Sequence, residues 1–590
     1  MDTHSTSLFG ILGFVDFAKV LKAFSMLVYD KKTTTCQRDN LYFAHHLPQI
    51  YNDTKTLVAF DGYLTNAIEV CRLLDIDLRD DAEIVLLAYK KWGVKFISYL
   101  DGSFAIALLD GELLYLFRDR FGTKPIFYFK NNDSFIFASK IKSLVVFLDK
   151  VELNEDALMS YLSFLAPTPP HTFFKNIYKL AAGEYLCFSK NQTITKRYFD
   201  LLNNKSSLIT NKEEALCSIE NLLEESILKS INTTKPIAAL LSGGIDSATI
   251  SYFTKQQERD ISTYTLGYKE FEKYDERKNA KESATLLGVT NHNVEIDEKK
   301  FIMACEEVFD ALDEPLNDPA AVPLYLLFKE IKSDGYDVVL SGEGSDEIFL
   351  GYRHYFDYLD IEKASTLENK NWLKKYFHSN FSINREWEWY KRIFDETLLF
   401  RTSGEKFTDL QKNSLMRRNI KDNDSMKYLQ EFRNNFLNST HSDESIWYSY
   451  IDLNIFQAEH FLVKLNSVGR AHAIETRTPF LDQNLVNNIF KIDPKLRYID
   501  GKTKKLLKEI MANKLDKNIL NRKKKGFSNP FMEYLNNSKK LSLIQEVNEK
   551  TRLFHKEALQ EYINNATKGN FKQHVWGLYV LSVWIKKYFL

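Results

Sequence analysis

The apolar run Ile237 to Leu241 stops at Ser242-Gly243-Gly244 and gives way to a segment, Ser247 to Phe253, that reads as a helix. A strand that passes through a Gly-Gly turn into a helix commits this part of the chain to α/β architecture. Backbone N–H groups of such a turn, with no Cβ in the way, can close around phosphate oxygens, and the helix start adds partial positive charge. Ser242 and Ser247 supply hydroxyl donors, and Asp246 suits a ligand to Mg²⁺ bridging phosphates. A bare Ser-Gly-Gly is equally well an ordinary strand-to-helix turn. A second loop shifts that balance. Ser341-Gly342-Glu343-Gly344-Ser345-Asp346 follows the strand run Asp337 to Leu340 and so belongs at the same carboxyl edge of a parallel sheet, where open α/β sheets bind ligands. Two Ser-Gly loops, each ending in an Asp, can hold one magnesium triphosphate between them.

The surrounding pattern supports a parallel sheet. Strand readings at Ile261–Leu266 and around Val294 alternate with helix readings at Ala280, Ala284 and Leu287 and at Phe301–Leu312, which implies right-handed crossovers. The first 200 residues differ. Short apolar or aromatic runs at Phe104–Leu109, Leu113–Phe117 and Ile126–Phe129, bounded by Asp101-Gly102 and Asp110-Gly111, predict layered antiparallel sheets. Pro167, Pro169 and Pro170, then a polar stretch at Asn203–Lys212, place the main boundary near 205, giving units 1–205 and 206–590. From about 352 onward the chain reads as mostly helical.

Composition excludes several function classes. Lys+Arg 79 against Asp+Glu 79 leaves no net charge, which speaks against a general nucleic-acid binder. Five cysteines in 590 residues, none at C-x-x-C spacing, make neither a disulfide scaffold nor a cysteine zinc site. His45-His46 and His292 lack ligand-like spacing. The apolar run Trp576–Ile585 covers about ten residues, half of the roughly 20 that span a bilayer, and no targeting segment is evident, so a cytoplasmic, membrane-free protein is expected.

Gly501-Lys502-Thr503 ends like a Walker A loop, but Leu496 stands where the first glycine belongs, and no G-x-G-x-x-G follows the strand at Leu241. The Ser-Gly-Gly-x-Asp-Ser loop instead resembles that of enzymes cleaving ATP between the α and β phosphates. Seven motifs then match in order: DGSFAIALLD from Asp101, FRDRFGTKPIFY from Phe117, LSGGIDS from Leu241, DEPLNDPAAVP from Asp313, LSGEGSDEIFLGY from Leu340, RAHAIETRTPFLD from Arg470 and ILNRKKKGF from Ile519. On these the chain resembles the asparagine synthetase family over nearly its whole length.

The resemblance implies an α+β N-terminal nucleophile-hydrolase-like sandwich, of glutamine amidotransferase type, followed by an α/β pyrophosphatase-loop ATP domain with a helical C-terminal part. It implies ATP and Mg²⁺, with Asp246 and Asp346 at the metal and Ser242, Gly243, Gly244 and Ser247 around pyrophosphate. Leu240, Leu266, Ser341 and Gly342 match positions that hold the nucleotide. Glu343 matches the acidic residue linked to acyl-adenylate formation, and Lys504 a lysine that stabilises charge on the phosphate. Without the motif around it, Lys504 reads as one lysine of a solvated basic face. Arg522 to Lys525 read likewise as a basic loop, though Gly526-Phe527 fits the family's phosphate-side loop.

Glutamine-using members of the family begin at a Cys in Cys-Gly-Ile-Phe-Gly-Ile, whose thiolate attacks glutamine. Here the matching segment starts at Thr6, preceded by five residues. The family's Asn-Gly becomes Asp61-Gly62, the Arg of Gly-His-x-Arg-Leu is lost within Ala44-His45-His46-Leu47, and Asp81, matching the residue that grips the substrate amino group, remains. Either Thr6 is exposed by processing, or the domain has lost glutaminase activity; loss of the Arg favours the second. The synthetase half departs where the family reads Val-Lys-x-Asp-Arg-x-Ser-Met-Ala-His and this chain has Val463-Lys464-Leu465-Asn466-Ser467-Val468-Gly469-Arg470-Ala471-His472.

The leading expectation is an AMP- and pyrophosphate-forming amide ligase acting on aspartate, with ammonia from solution or from a separate protein. Relatives with dead glutaminase domains, β-lactam synthetases and lasso-peptide cyclases, make a sugar acid, peptide or lactam acceptor the alternative. A dead regulatory partner is a third reading, which the two complete loops disfavour. Homodimer formation is left open.

Overall fold

Period-two alternation builds the first half. Phe104, Ile106 and Leu108 pack with helices Ala67–Leu74 and Asp81–Trp92, while Ala105, Ala107 and Leu109 face a second sheet. The computed structural model describes residues 7–13, 16–27, 34–38, 41–45, 50–52, 55–131, 134–189, 192–203, 207–257, 261–380, 382–417, 419–421, 423–498, 501–522 and 526–590. Their strands are, in chain order, β1 (Leu8–Gly13), β2 (Thr34–Arg38), β3 (Leu41–His45), β4 (Ile50–Asn52), β5 (Thr56–Leu64), β6 (Gly102–Asp110), β7 (Leu113–Arg118), β8 (Phe127–Lys130), β9 (Ser134–Ala138), β10 (Ile177–Lys179), β11 (Glu184–Ser189), β12 (Gln192–Arg197), β13 (Ile237–Leu240), β14 (Ser262–Tyr268), β15 (Thr290–Ile296), β16 (Val338–Leu340) and β17 (Glu475–Arg477).

Two antiparallel sheets, ordered β10-β8-β9-β1-β3-β2 and β12-β11-β7-β6-β5-β4, stack through Ala59, Ala105, Leu116, Phe135 and Phe137. This is the expected sandwich. Asp110-Gly111 starts the β6–β7 hairpin as predicted. Asp101-Gly102 does not turn the chain: Gly102 opens β6 and pairs with Leu64. The outer face of the first sheet carries Phe9, Ile11 and Ile136 into an apolar cluster that also holds Tyr264, Phe301 and Trp576. The two halves therefore share one core.

The third sheet, β15-β14-β13-β16-β17, is parallel throughout. Its register sets Ala239 beside Leu340, so the loops after β13 and β16 leave the same edge side by side. Strand β17 escapes the sequence reading because Glu475-Thr476-Arg477 carries no apolar run; its place comes from Leu340 pairing with Arg477. Beyond Arg353 the chain is otherwise helical. A π-helical stretch, Asp452–Phe461, runs into the helix Leu462–Ala471. The Trp576–Ile585 run lies in the helix Lys572–Phe589, apolar because it is buried, with Trp576 and Leu581 at zero exposure. Among the described residues, no helix is long and apolar enough to cross a membrane, and no group of three or more His, Cys, Asp or Glu could hold a metal.

Candidate active site

The first loop is fixed from behind. Gly243 has φ +74 and its carbonyl accepts Arg522 Nη1 at 2.5 Å. A Cβ there would lie 2.8 Å from Arg522 Nη1 and 2.9 Å from Asn279 O, so only glycine fits this approach. Arg522 also donates to Ser283 Oγ at 2.9 Å and pairs with Glu282 at 2.8 Å. It is thus a brace of the phosphate-type turn rather than part of a solvated basic loop; Lys523 to Lys525 lie outside the described residues. Gly244 precedes the helix Ile245–Gln256, whose first N–H groups face the turn. Ser242 Oγ and Ser247 Oγ are 3.4 Å apart at its mouth.

The second loop completes the site. Asp246 and Asp346, one from each loop, converge on one ammonium: Lys504 Nζ is 2.5 Å from Asp246 Oδ2 and 2.7 Å from Asp346 Oδ1. Ser345 Oγ donates to Asp246 Oδ1 at 2.7 Å. Lys504 is 3% exposed, which overturns its reading as a solvated lysine. Its backbone sits at φ 53, a conformation that costs a β-carbon-bearing residue about 1–3 kcal/mol and that clusters at functional sites. Gly351 makes room for all of this. A Cβ on it would lie 2.0 Å from Asp346 Oδ1 and 2.4 Å from Lys504 Cε. In sequence the one signal for Gly351 is its place in Phe349-Leu350-Gly351-Tyr352, close after an Asp loop. Two carboxylates gathered on one cation are a donor set that hard Mg²⁺ favours, so the residues fit that ion.

A cavity of about 150 Å³ opens beside the loops. Leu240, Leu266, Leu324, Leu327 and Phe527 give it an apolar wall, and Ser341, Gly342 and Glu343 reach it from the second loop. At its other end Lys464 pairs with Asp318 at 2.8 Å, both buried. Asp318, then Glu343, hold the Lys464 ammonium above the usual lysine range against its own desolvation. All nine nucleotide residues expected from sequence, with Glu343, Asp346 and Lys504, therefore lie on these two loops, this cavity or the adjoining recess lined by Gly244, Thr503 and Lys508. Lys464 and Asp318 lie 146 residues apart in sequence, so neither neighbourhood signals the pair.

Comparison with known proteins identifies the family. The family described as "Asparagine synthase" matches residues 218–586, well over half of the chain. The chain belongs to the asparagine synthase family. A second family, "Glutamine amidotransferase domain", matches residues 23–199. "Asparagine synthetase [glutamine-hydrolyzing] 1" of Bacillus subtilis is 28% identical over 555 residues, covering 91% of this chain and 86% of that one. "Asparagine synthetase [glutamine-hydrolyzing] 3" of the same organism is 26% identical, over 88% of this chain and 86% of that one. "Amidase chry2" of Gibberella zeae is 26% identical over 76% of this chain and 73% of that one.

Within this asparagine synthase family member, the positions expected at a glutamine site are arranged differently. Thr6 lies outside the described residues, as do His46 and Leu47. Asp81 Oδ2 accepts the Leu64 N–H at 3.1 Å, and burial pushes its carboxyl up to about 7. Asp61 and Gly62 lie on β5. Asp61 has zero exposure, and its carboxylate meets Arg470 Nη2 at 3.2 Å, Ser139 Oγ at 2.9 Å and Lys124 Nζ at 3.9 Å. Arg470 comes from the synthetase half.

Proposed function

We propose that the protein is an ATP-dependent amide ligase that adenylates a carboxylate, aspartate in the leading reading, and transfers ammonia to it, with division of labour near residue 205. The observation that supports this best is the convergence of Asp246 and Asp346 on Lys504 at the shared edge of β13 and β16. A substrate carboxylate oxygen bonds to the α-phosphorus of ATP and pyrophosphate leaves. Ammonia then bonds to the acyl carbon, AMP leaves with that oxygen, and the surplus proton passes to base. The turn at Ser242 to Ser247 suits the departing pyrophosphate, Lys504 the charge that builds on it, and the apolar wall at Leu240 and Leu266 the base. When bound, Mg²⁺ on Asp246 and Asp346 would neutralise phosphate charge. Glu343 and Lys464 stand at the acyl end. A cationic donor such as Lys504 in a dry site is worth about 2.7–4 kcal/mol.

Nitrogen comes from ammonium, not from glutamine cleaved by this chain, because Thr6 replaces the thiol and Asp61 is committed to Arg470. A second reading keeps adenylation and changes the acceptor to a sugar acid, peptide or lactam precursor. It draws on Asn466-Ser467, which depart from the family pattern in the helix that carries Lys464. Pyrophosphate release from ATP and Mg²⁺ across a panel of carboxylates with ammonium tests both. Aspartate dependence supports the first, another carboxylate the second, and no release with any would reject adenylation.

A further inference from the structure

Two departures from the family pattern, 409 residues apart, meet in space with opposite charge. Asp61 stands where the family has Asn, and Arg470 where it has Met. Their side chains are buried, at 0% and 5% exposure, and ion-paired at 3.2 Å. Arg470 bridges two points of the N-terminal half: Nη2 takes Asp61 while Nη1 donates to Ser139 O at 3.2 Å. Ser139 Oγ in turn donates to Asp61 and accepts the Leu8 N–H at 3.0 Å, which ties in the start of β1. A buried guanidinium held at two acceptors has little freedom to shift.

Arg470 sits near the end of the helix Leu462–Ala471, and Lys464 near its start. Six residues of helix separate them, a rise of about 9 Å. Lys464 is pinned to Asp318 in the cavity, and Arg470 to Asp61 across the domain boundary. We propose that Asp61 and Arg470 form an interdomain strut that positions the Lys464 helix, so that a residue of the remnant glutamine site now serves the synthetase site. Both are positioning residues and act through Lys464. The proposal rests on the functional reading above only for its kinetic consequence.

The test uses the full chain as wild type, Asp61→Asn, Arg470→Met, the double variant and Arg470→Lys. In hydrogen exchange, each single neutral variant should speed exchange of residues 462–471 at least tenfold, with 237–240 and 338–340 within twofold. A buried charge that loses its partner is costly, whereas a neutral pair of similar volume is tolerated, so the double variant, in which only Lys124 at 3.9 Å from Asp61 is left unmatched, should exchange no faster than the milder single variant. Arg470→Lys keeps the charge but not the two-point bridge, and should fall between; it also serves if a neutral single variant does not fold. In pyrophosphate exchange with aspartate, ATP and Mg²⁺, the single variants should raise the KM for aspartate at least tenfold and leave that for ATP within threefold. Unchanged protection at 462–471, loosening spread evenly over the chain, or a double variant as loose as both singles combined would overturn the strut. If no carboxylate supports exchange in the wild type, the functional reading fails and hydrogen exchange alone decides the strut.

Discussion

Asp346 and Asp81 both lie in the first turn of a helix, one in each half of the molecule, and they are balanced in opposite ways. Asp346 shares with Asp246 an ammonium brought from 158 residues further along the chain, Lys504. Asp81 keeps one backbone N–H, and burial outweighs it, so that its carboxyl is pushed up to about 7. Asp61, the other carboxylate expected at a glutamine site, is ion-paired with Arg470. The candidate ATP site gathers two carboxylates on one cation, whereas in the N-terminal half Asp61 is tied to Arg470 and Asp81 to a backbone N–H.

The contrast can be broken first at Lys504. Lys504→Met should lower the rate of pyrophosphate release about 10²–10³-fold, measured at saturating ATP, because it removes the cation of the paired site. A change under tenfold would reduce Lys504 to a structural ion-pair partner. Next, Gly351→Ala forces a methyl against Asp346 and Lys504. Overpacking costs about 1–3 kcal/mol; moving Asp346 and Lys504 aside relieves it, so a loss of roughly 10–100-fold in the same assay is expected, with a fall of a few degrees at most in the thermal midpoint.

The N-terminal half should respond in stability rather than in rate. The Asp81 carboxyl is raised from 3.8 to about 7 in the folded state. Between those values the native state binds more protons than the unfolded one, so Asp81 lowers stability progressively as pH rises through this window. Asp81→Asn should therefore stabilise the protein at pH 8 by on the order of 2 kcal/mol, and the gain should vanish by about pH 4. Thermal melts of both forms across this range provide the check, and ammonium-dependent activity should stay within twofold. The smallest effect is expected at Arg522, which acts on Gly243 from behind the turn. Arg522→Gln should raise the KM for ATP a few-fold with little change in kcat.

Much of the synthetase half was legible because its signals are local. The apolar run at Ile237, the turn at Gly243 and the helix start at Ser247 lie within a dozen residues, and the second loop repeats the pattern. Strand β17 was not legible, since three residues of mixed polarity acquire strand geometry only from β16. The burial of Lys504 could not be read either: Lys502, Lys505 and Lys508 surround it in sequence, and its partners come from distant loops. The Asp61–Arg470 pair shows the same limit at its extreme. Each substitution reads as a separate loss of a family residue, and only the shared core of the two halves brings them together.

The central claim, a working ATP half beside a non-hydrolytic N-terminal half, is tested most directly by nitrogen source. Purified protein with ATP, Mg²⁺ and aspartate is given ammonium or glutamine, and pyrophosphate, amide product and glutamate are quantified together. The account predicts that ammonium supports pyrophosphate release and amide formation, and that glutamine supports neither above about one hundredth of that rate, with no glutamate formed. Glutamate release at a rate matching amide formation would contradict it.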